Sequence, residues 1–78
     1  MFLYSTVLRI NNRPVPYCVT REDGNKFILF KPELPLTSAL NIPIFWVTRE
    51  NNEWMPVNVK DKALIQQVVN DLIEHNVE

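Results

Sequence analysis

The sequence predicts an α+β fold, in which a mostly antiparallel sheet of about five strands carries one amphipathic helix on one face. Two observations lead to this prediction. The segment Val19–Glu22 recurs as Val47–Glu50, and each copy is followed by a polar turn and an aromatic residue, which indicates similar hairpins at 15–31 and 43–58. Apolar side chains then repeat at helical spacing through residues 64–73. Residues 1–78 are expected to form one small domain.

Strands are predicted where apolar, β-branched and aromatic residues alternate, at 2–10, 15–21, 26–31, 43–49 and 54–58. Asn11–Pro14 is predicted to be a turn, because Asn accepts positive φ and Pro cannot continue a ladder. The connection from Lys31 to Pro43 holds three prolines and is predicted to be irregular, with one helical turn near 37–40. That connection leaves the order of the strands open.

The C-terminal helix is predicted from two neighbouring apolar rows, Leu64, Val68 and Leu72 in one and Ile65, Val69 and Ile73 in the other. Asn58 or Asp61 can cap its first turn, and His75 lies near its end. A helix of roughly 15 residues is about 22 Å long, so it can cover only one face of a small sheet.

The second hairpin is predicted to turn at Asn51-Asn52 as a type I′ loop, which sets Arg49 opposite Trp54 and Val47 opposite Pro56. One face then carries Ile44, Trp46, Thr48, Met55, Val57 and Val59, and the other carries Phe45, Val47, Arg49, Trp54 and Pro56. Both faces are apolar, unlike those of a half-exposed sheet. Pro56 marks the last strand as an edge.

The first hairpin is predicted to have a three-residue loop, Asp23–Asn25, because the repeat then sets Glu22 opposite Lys26 and Arg21 opposite Phe27. This register places Cys18 and Phe30 on one face and Tyr17, Val19 and Leu29 on the other.

We expect the helix to cover the face of Trp46 and to leave a second apolar face for a protein partner. The residues predicted at that interface are Phe45, Val47, Arg49, Trp54 and Pro56. The predicted function is a non-enzymatic protein–protein interaction module, either a homo-oligomer such as a homodimer or a subunit of a larger assembly, because monomers seldom expose such a patch.

Nucleic-acid binding is the alternative, since single-strand binders combine a basic sheet with stacking aromatics. The basic residues of the sheet half are Arg9, Arg13, Arg21, Lys26, Lys31 and Arg49, among Tyr4, Tyr17, Phe27, Phe30 and Trp54. Acidic residues dilute them, the net charge is −1, and the chain carries no aromatic–basic motif of the RRM type. A small-molecule pocket between helix and sheet has no dedicated signal.

The residue types that carry chemistry give no catalytic prediction. Cys18 has no neighbouring Lys, His or second Cys to lower its pKa, and His75 is the only histidine. Glu22 and Asp23 flank one turn, and Glu50 and Glu53 flank another. Solvation at turns gives carboxylates similar environments, whereas an acid–base pair needs environments that push their pKa values apart. We therefore predict no enzyme activity, no cofactor and no metal.

The expected setting is the cytoplasm, because a small domain with a single cysteine cannot form an internal disulfide. The apolar start Met1–Tyr4 lacks a basic leader, and Arg9 follows before a signal-peptide core could form. No apolar run approaches the ~20 residues that span a bilayer. A soluble protein without membrane contact is predicted.

Overall fold

The computed structural model of the protein describes residues 1–24, 26–33 and 42–77. Its elements are β1 (Phe2–Ile10), β2 (Arg13–Glu22), β3 (Phe27–Pro32), β4 (Phe45–Glu50), β5 (Glu53–Pro56) and α1 (Lys62–Glu74). The strands form one antiparallel sheet in chain order, β1-β2-β3-β4-β5. The predicted α+β fold is confirmed. The helical turn predicted near 37–40 lies outside the described residues.

Two of the hairpins turn at pairs of asparagines with positive φ, which is what a two-residue type I′ loop requires. These are Asn11 (52°) and Asn12 (64°) between β1 and β2, and Asn51 (51°) and Asn52 (65°) between β4 and β5. The second of these turns fixes the register predicted for it, with Arg49 opposite Trp54 and Val47 opposite Pro56.

Strand β2 starts two residues earlier than predicted and includes two prolines, Pro14 and Pro16. Both lie where β2 extends past the end of β3, whose last residue, Pro32, is opposite Tyr17. The carbonyl oxygen of Pro16 accepts a bond of 3.0 Å from the backbone N–H of Glu33. Since both main-chain groups of a residue point the same way in an antiparallel strand, the missing N–H of Pro16 faces Glu33, just past β3, and costs no bond to β1.

The predicted register of the first hairpin is wrong by one residue, because Glu22 is opposite Phe27 and Arg21 is opposite Ile28. Lys26 belongs to the turn, where its N–H lies 3.2 Å from the carbonyl oxygens of both Glu22 and Asp23. A slip of one residue moves every side chain of a strand to the other face. The predicted Arg21–Phe27 pair is therefore absent, and Phe30 shares its face with Val19 instead of Cys18.

Helix α1 begins after Asp61, whose carboxylate accepts bonds from the backbone N–H groups of Ala63 and Leu64. Of the two predicted caps, Asp61 is therefore the one used, whereas Asn58 bonds the backbone of Ile44 and Trp46. His75 caps the C-terminal end. The helix packs against both β1 and β5, the two edges of the sheet, because the sheet curls around it.

The core lies between α1 and the concave face of the sheet. It is formed by Leu8, Val15, Tyr17, Val19, Ile28, Phe30, Phe45, Val47, Leu64, Val68 and Leu72. The first predicted helical row is thus buried, whereas Ile73 at the end of the second row is exposed. Tyr17, Phe30 and Phe45 form an aromatic group, with the rings of Phe30 and Phe45 stacked at 5.1 Å.

Candidate interaction surface

The assignment of the two sheet faces is the main correction to the sequence analysis. Within strands β4 and β5 the residues were grouped correctly, whereas Val59, predicted on the face of Trp46, packs against the core. The helix covers the face of Phe45 and Val47, which are both 0% exposed. Trp46 lies on the opposite face and is 42% exposed. Phe45 and Val47, which we predicted at a partner interface, are therefore core residues in this fold.

The physical reason lies in β1 and β2. On the concave side the apolar residues continue through these strands, with Leu8, Val15, Tyr17 and Val19 all buried. On the convex side the same strands carry only two large apolar residues, Phe2 and Val7, beside the polar Ser5, Arg9, Thr20 and Glu22. A helix that must bury its apolar stripe therefore packs on the concave side, where the transfer of apolar area from water is largest.

The other residues predicted at the interface also lie on the concave side. Trp54 is half-buried against the core, and the guanidinium carbon of Arg49 lies 5.0 Å from the centre of its ring, as the hairpin register predicted. Pro56 is half-buried opposite Val47. Arg49 and Trp54, together with Asn52, Glu53, Val69 and Ile73, line an open groove of about 360 Å³ between the hairpin tip and α1.

The convex side of the sheet, which we call the outer face, is crossed by a band of mostly apolar residues. The strand register places Phe2 beside Thr20, Thr20 beside Leu29, and Leu29 beside Trp46. Val57 continues the row, because its N–H donates to the carbonyl oxygen of Trp46 at 2.9 Å. We call Phe2, Thr20, Leu29, Trp46 and Val57 the outer band. Phe2, Trp46 and Val57 are exposed, at 59%, 42% and 57%, whereas Thr20 and Leu29 are half-buried.

Two further rows flank the outer band. On one side lie Glu22, Phe27, Thr48 and Met55, and on the other lie Ser5, Cys18 and Lys31. The ring of Phe27 lies 6.0 Å from that of Trp46 at 59°, a tilted arrangement that aromatic pairs favour. Met55 is 45% exposed. The outer face thus has an apolar centre, with an acidic residue, Glu22, on one side of the band and a basic residue, Lys31, on the other.

A hydroxyl–carboxylate cluster joins β1 to α1, and sequence reasoning missed it. The hydroxyls of Tyr4 and Thr6 donate to the two carboxylate oxygens of Asp71 at 2.8 and 2.7 Å. The ring of His75 stacks on that of Tyr4 at 3.8 Å, and its Nδ1 lies 2.8 Å from the Asp71 carbonyl oxygen. Burial, and then the bond to Asp71, raise the pKa of Tyr4. The spacing of Tyr4 and Thr6 along β1 indicates that they share one face of the sheet. Their partner, Asp71, lies more than sixty residues away in sequence.

The other residues considered for a catalytic role do not lie together in one site. Cys18 is half-buried on the outer face, and Glu50 and Glu53 are exposed beside the Asn51-Asn52 turn. Within 1–24, 26–33 and 42–77, no group of three or more His, Cys, Asp and Glu side chains is arranged to hold a metal ion.

These features define a small α+β domain whose sheet curls around one helix and presents an apolar convex face. No protein-family model matches the chain, and the comparisons with curated proteins and with solved structures found no match either. Among the residues that the structure describes, no helix is long and apolar enough to cross a membrane.

Proposed function

We propose that this protein is a non-enzymatic interaction domain that associates with a second copy of itself through the outer face. The observation that carries the proposal is the outer band, a row of mostly apolar side chains that runs across β1 to β4 and on to Val57, just after β5. Phe2, Trp46 and Val57 in this row are exposed. Monomers rarely expose a contiguous apolar patch larger than a few hundred Å². Aromatic residues and Met, with few central charges, are also the composition of interface cores.

A second copy is favoured as the partner by the position of the charges. Glu22 and Lys31 lie on opposite sides of the outer band, each two residues along its strand from a band residue, Thr20 or Leu29. A two-fold axis along the band exchanges the flanking rows, so it sets Glu22 of one copy near Lys31 of the other. Lys31 then also lies over the row that contains the ring of Phe27. Isologous interfaces need this kind of self-complementarity, and opposite charges at the rim favour the correct register.

The basic residues do not favour nucleic-acid binding in the same way. Arg9 and Lys31 lie on the outer face, whereas Arg21 and Arg49 lie in the rows of Ile28 and Trp54 on the concave face. They therefore do not form one continuous basic surface with the aromatic rings. Binding to phosphates would weaken steeply with added salt, whereas an apolar interface would respond little.

Charge reversal tests the proposal. Glu22→Lys should weaken self-association, because it sets two lysines together across the interface, and Lys31→Glu should weaken it for the matching reason. The double variant restores the opposite charges and should recover association. The matched control is Lys26→Glu, which changes a charge in the exposed turn away from the outer band.

Sedimentation of the wild type and the four variants at tens to hundreds of micromolar provides the readout, and a titration with single-stranded DNA and RNA accompanies it. A wild-type monomer over this range would contradict self-association. Equal weakening in the double variant would contradict the two-fold arrangement. Salt-sensitive binding of nucleic acid would favour the alternative instead.

A further inference from the structure

One stretch of the sheet edge lacks the protection found at Arg9 and on the opposite edge. Among the strands that the structure describes, β1 pairs with β2 alone, so its other side is an edge of that sheet. The backbone N–H of Arg9 donates to the Gln67 side-chain oxygen at 2.9 Å, and the Gln67 amide donates to the Arg9 carbonyl oxygen at 3.0 Å. Gln67 thus takes the place of a neighbouring strand at Arg9.

The direction of the Arg9 groups fixes the direction of others in β1. In an antiparallel strand, residues two apart direct their main-chain groups to the same side. Since Arg9 points away from β2, Val7 and Ser5 do too, and no bond from a described residue reaches their N–H or C=O groups. We call these four main-chain groups the free edge. Ser5 and Val7 are both exposed residues, Val7 at 60%.

The sequence around the free edge lacks the usual devices against strand addition. Leu3–Leu8 contains no charge, no proline and no glycine, and natural proteins protect exposed edges with such residues. On the opposite edge, β5 is four residues long and ends in Pro56. An uncharged segment of high β-propensity with open main-chain groups is suited to an added strand.

We propose that the free edge of β1 pairs with the same edge of a second copy, antiparallel about Thr6. This arrangement sets Ser5 opposite Val7 of the other copy, so all four free groups on each chain gain a partner in two pairs of bonds. Thr6 then lies beside its own counterpart, which is a favourable cross-strand pair. The paired segment brings no like charges together. The ladder of hydrogen bonds between the two copies ends at Arg9, whose main-chain groups already bond Gln67. The two sheets become one ten-stranded sheet.

The edge contact is separate from the outer-face contact, so the test removes the outer face first. Trp46→Ala should leave a dimer that is held by the free edge alone. Adding Val7→Pro should abolish that dimer, because proline removes an edge N–H that makes no bond to β2. Adding Val7→Ala instead keeps the N–H and should keep the dimer, which makes it the matched control. The measurement is sedimentation at a common concentration of hundreds of micromolar, with circular dichroism to confirm that each variant folds.

Amide exchange keeps the inference testable if Val7→Pro fails to fold. In the Trp46→Ala variant, exchange at Ser5 and Val7 should slow as the concentration rises, while exchange at the exposed Glu53 beside the second turn should not change. A Trp46→Ala variant that stays monomeric, or free-edge amides that exchange at the same rate at every concentration, would overturn the edge contact and leave the outer-face proposal standing. A wild type that forms dimers only through the free edge would overturn the outer-face proposal and leave the edge contact standing.

Discussion

Alanine substitution of the adjacent aromatics Phe45 and Trp46 separates the two faces of the sheet. Phe45 is fully buried, and its ring stacks on that of Phe30 at 5.1 Å and lies 5.6 Å from that of Tyr17. Replacing a buried Phe by Ala costs about 3–5 kcal/mol. A chain of 78 residues is expected to have a total stability of about 4–12 kcal/mol. Phe45→Ala should therefore remove a large part of the stability and unfold a substantial fraction of the protein.

Trp46→Ala should act differently, because the ring is 42% exposed. A Trp side chain that buries a little over half of about 200 Å² gains roughly 3 kcal/mol at ~25 cal/mol/Å², and residual compactness of the unfolded chain lowers this to about 2 kcal/mol. The variant should remain folded. It should lose self-association through the outer face, since an exposed aromatic at an interface centre carries much of the binding energy.

Urea unfolding followed by circular dichroism measures the first quantity, and sedimentation of the folded variants measures the second. Met55→Ala is a useful companion, because it removes another exposed apolar side chain of the outer face with less loss of area. Equal destabilisation by Phe45→Ala and Trp46→Ala, with association unchanged in Trp46→Ala, would show that the outer face is not a binding surface.

Three further predictions concern single contacts. Asp61→Ala should lower the free energy of unfolding by about 0.5–2 kcal/mol, measured by urea titration, because two N–H groups of α1 lose their cap. Arg49→Ala should cost no more than about 1 kcal/mol and leave association unchanged in sedimentation, because its contact with Trp54 is intramolecular and solvent-exposed. Burial raises the pKa of Tyr17 to about 12, and burial with the Asp71 bond raises that of Tyr4, so the folded chain keeps protons that the unfolded chain releases above pH ~10. The free energy of unfolding should therefore fall as the pH rises above about 10, by at most ~1.4 kcal/mol per pH unit for each tyrosine, because each tyrosine holds one proton. A stability that rises over this range would contradict this prediction.

The local parts of the fold could be predicted because short-range chemistry determines them. The Asn51-Asn52 turn needs positive φ at both residues, and that requirement fixed the pairing of β4 with β5. The buried row of α1 follows from spacing alone. The register predicted for the first hairpin was wrong because the repeat suggested one more cross-strand residue pair than the turn allows. Lys26 is held in the turn by main-chain hydrogen bonds, which no side-chain pattern reveals.

The choice of the covered face could not be made from the second hairpin, since both of its faces are apolar. The deciding residues were elsewhere, in the alternation of Val15, Tyr17 and Val19 along β2, which the sheet joins to Phe45 and Val47. The contacts of Asp71 with β1 and of Gln67 with Arg9 depend on where the helix lies on the sheet. These contacts could not be predicted, because nothing in the local sequence specifies where the helix lies on the sheet.

The order of the elements along the chain has a consequence for folding during synthesis. The five strands are neighbours in sequence and in the sheet, so they can pair hairpin by hairpin as the ribosome extends the chain. Helix α1 is made after all of them, and its bonds to β1 join residues 58 to 67 positions apart. Until α1 is released, the concave apolar face is uncovered and the edge at Arg9 lacks Gln67. The nascent sheet is therefore most vulnerable to aggregation in the interval before Lys62–Glu74 leaves the ribosome, and slowing translation there should increase its demand for chaperones.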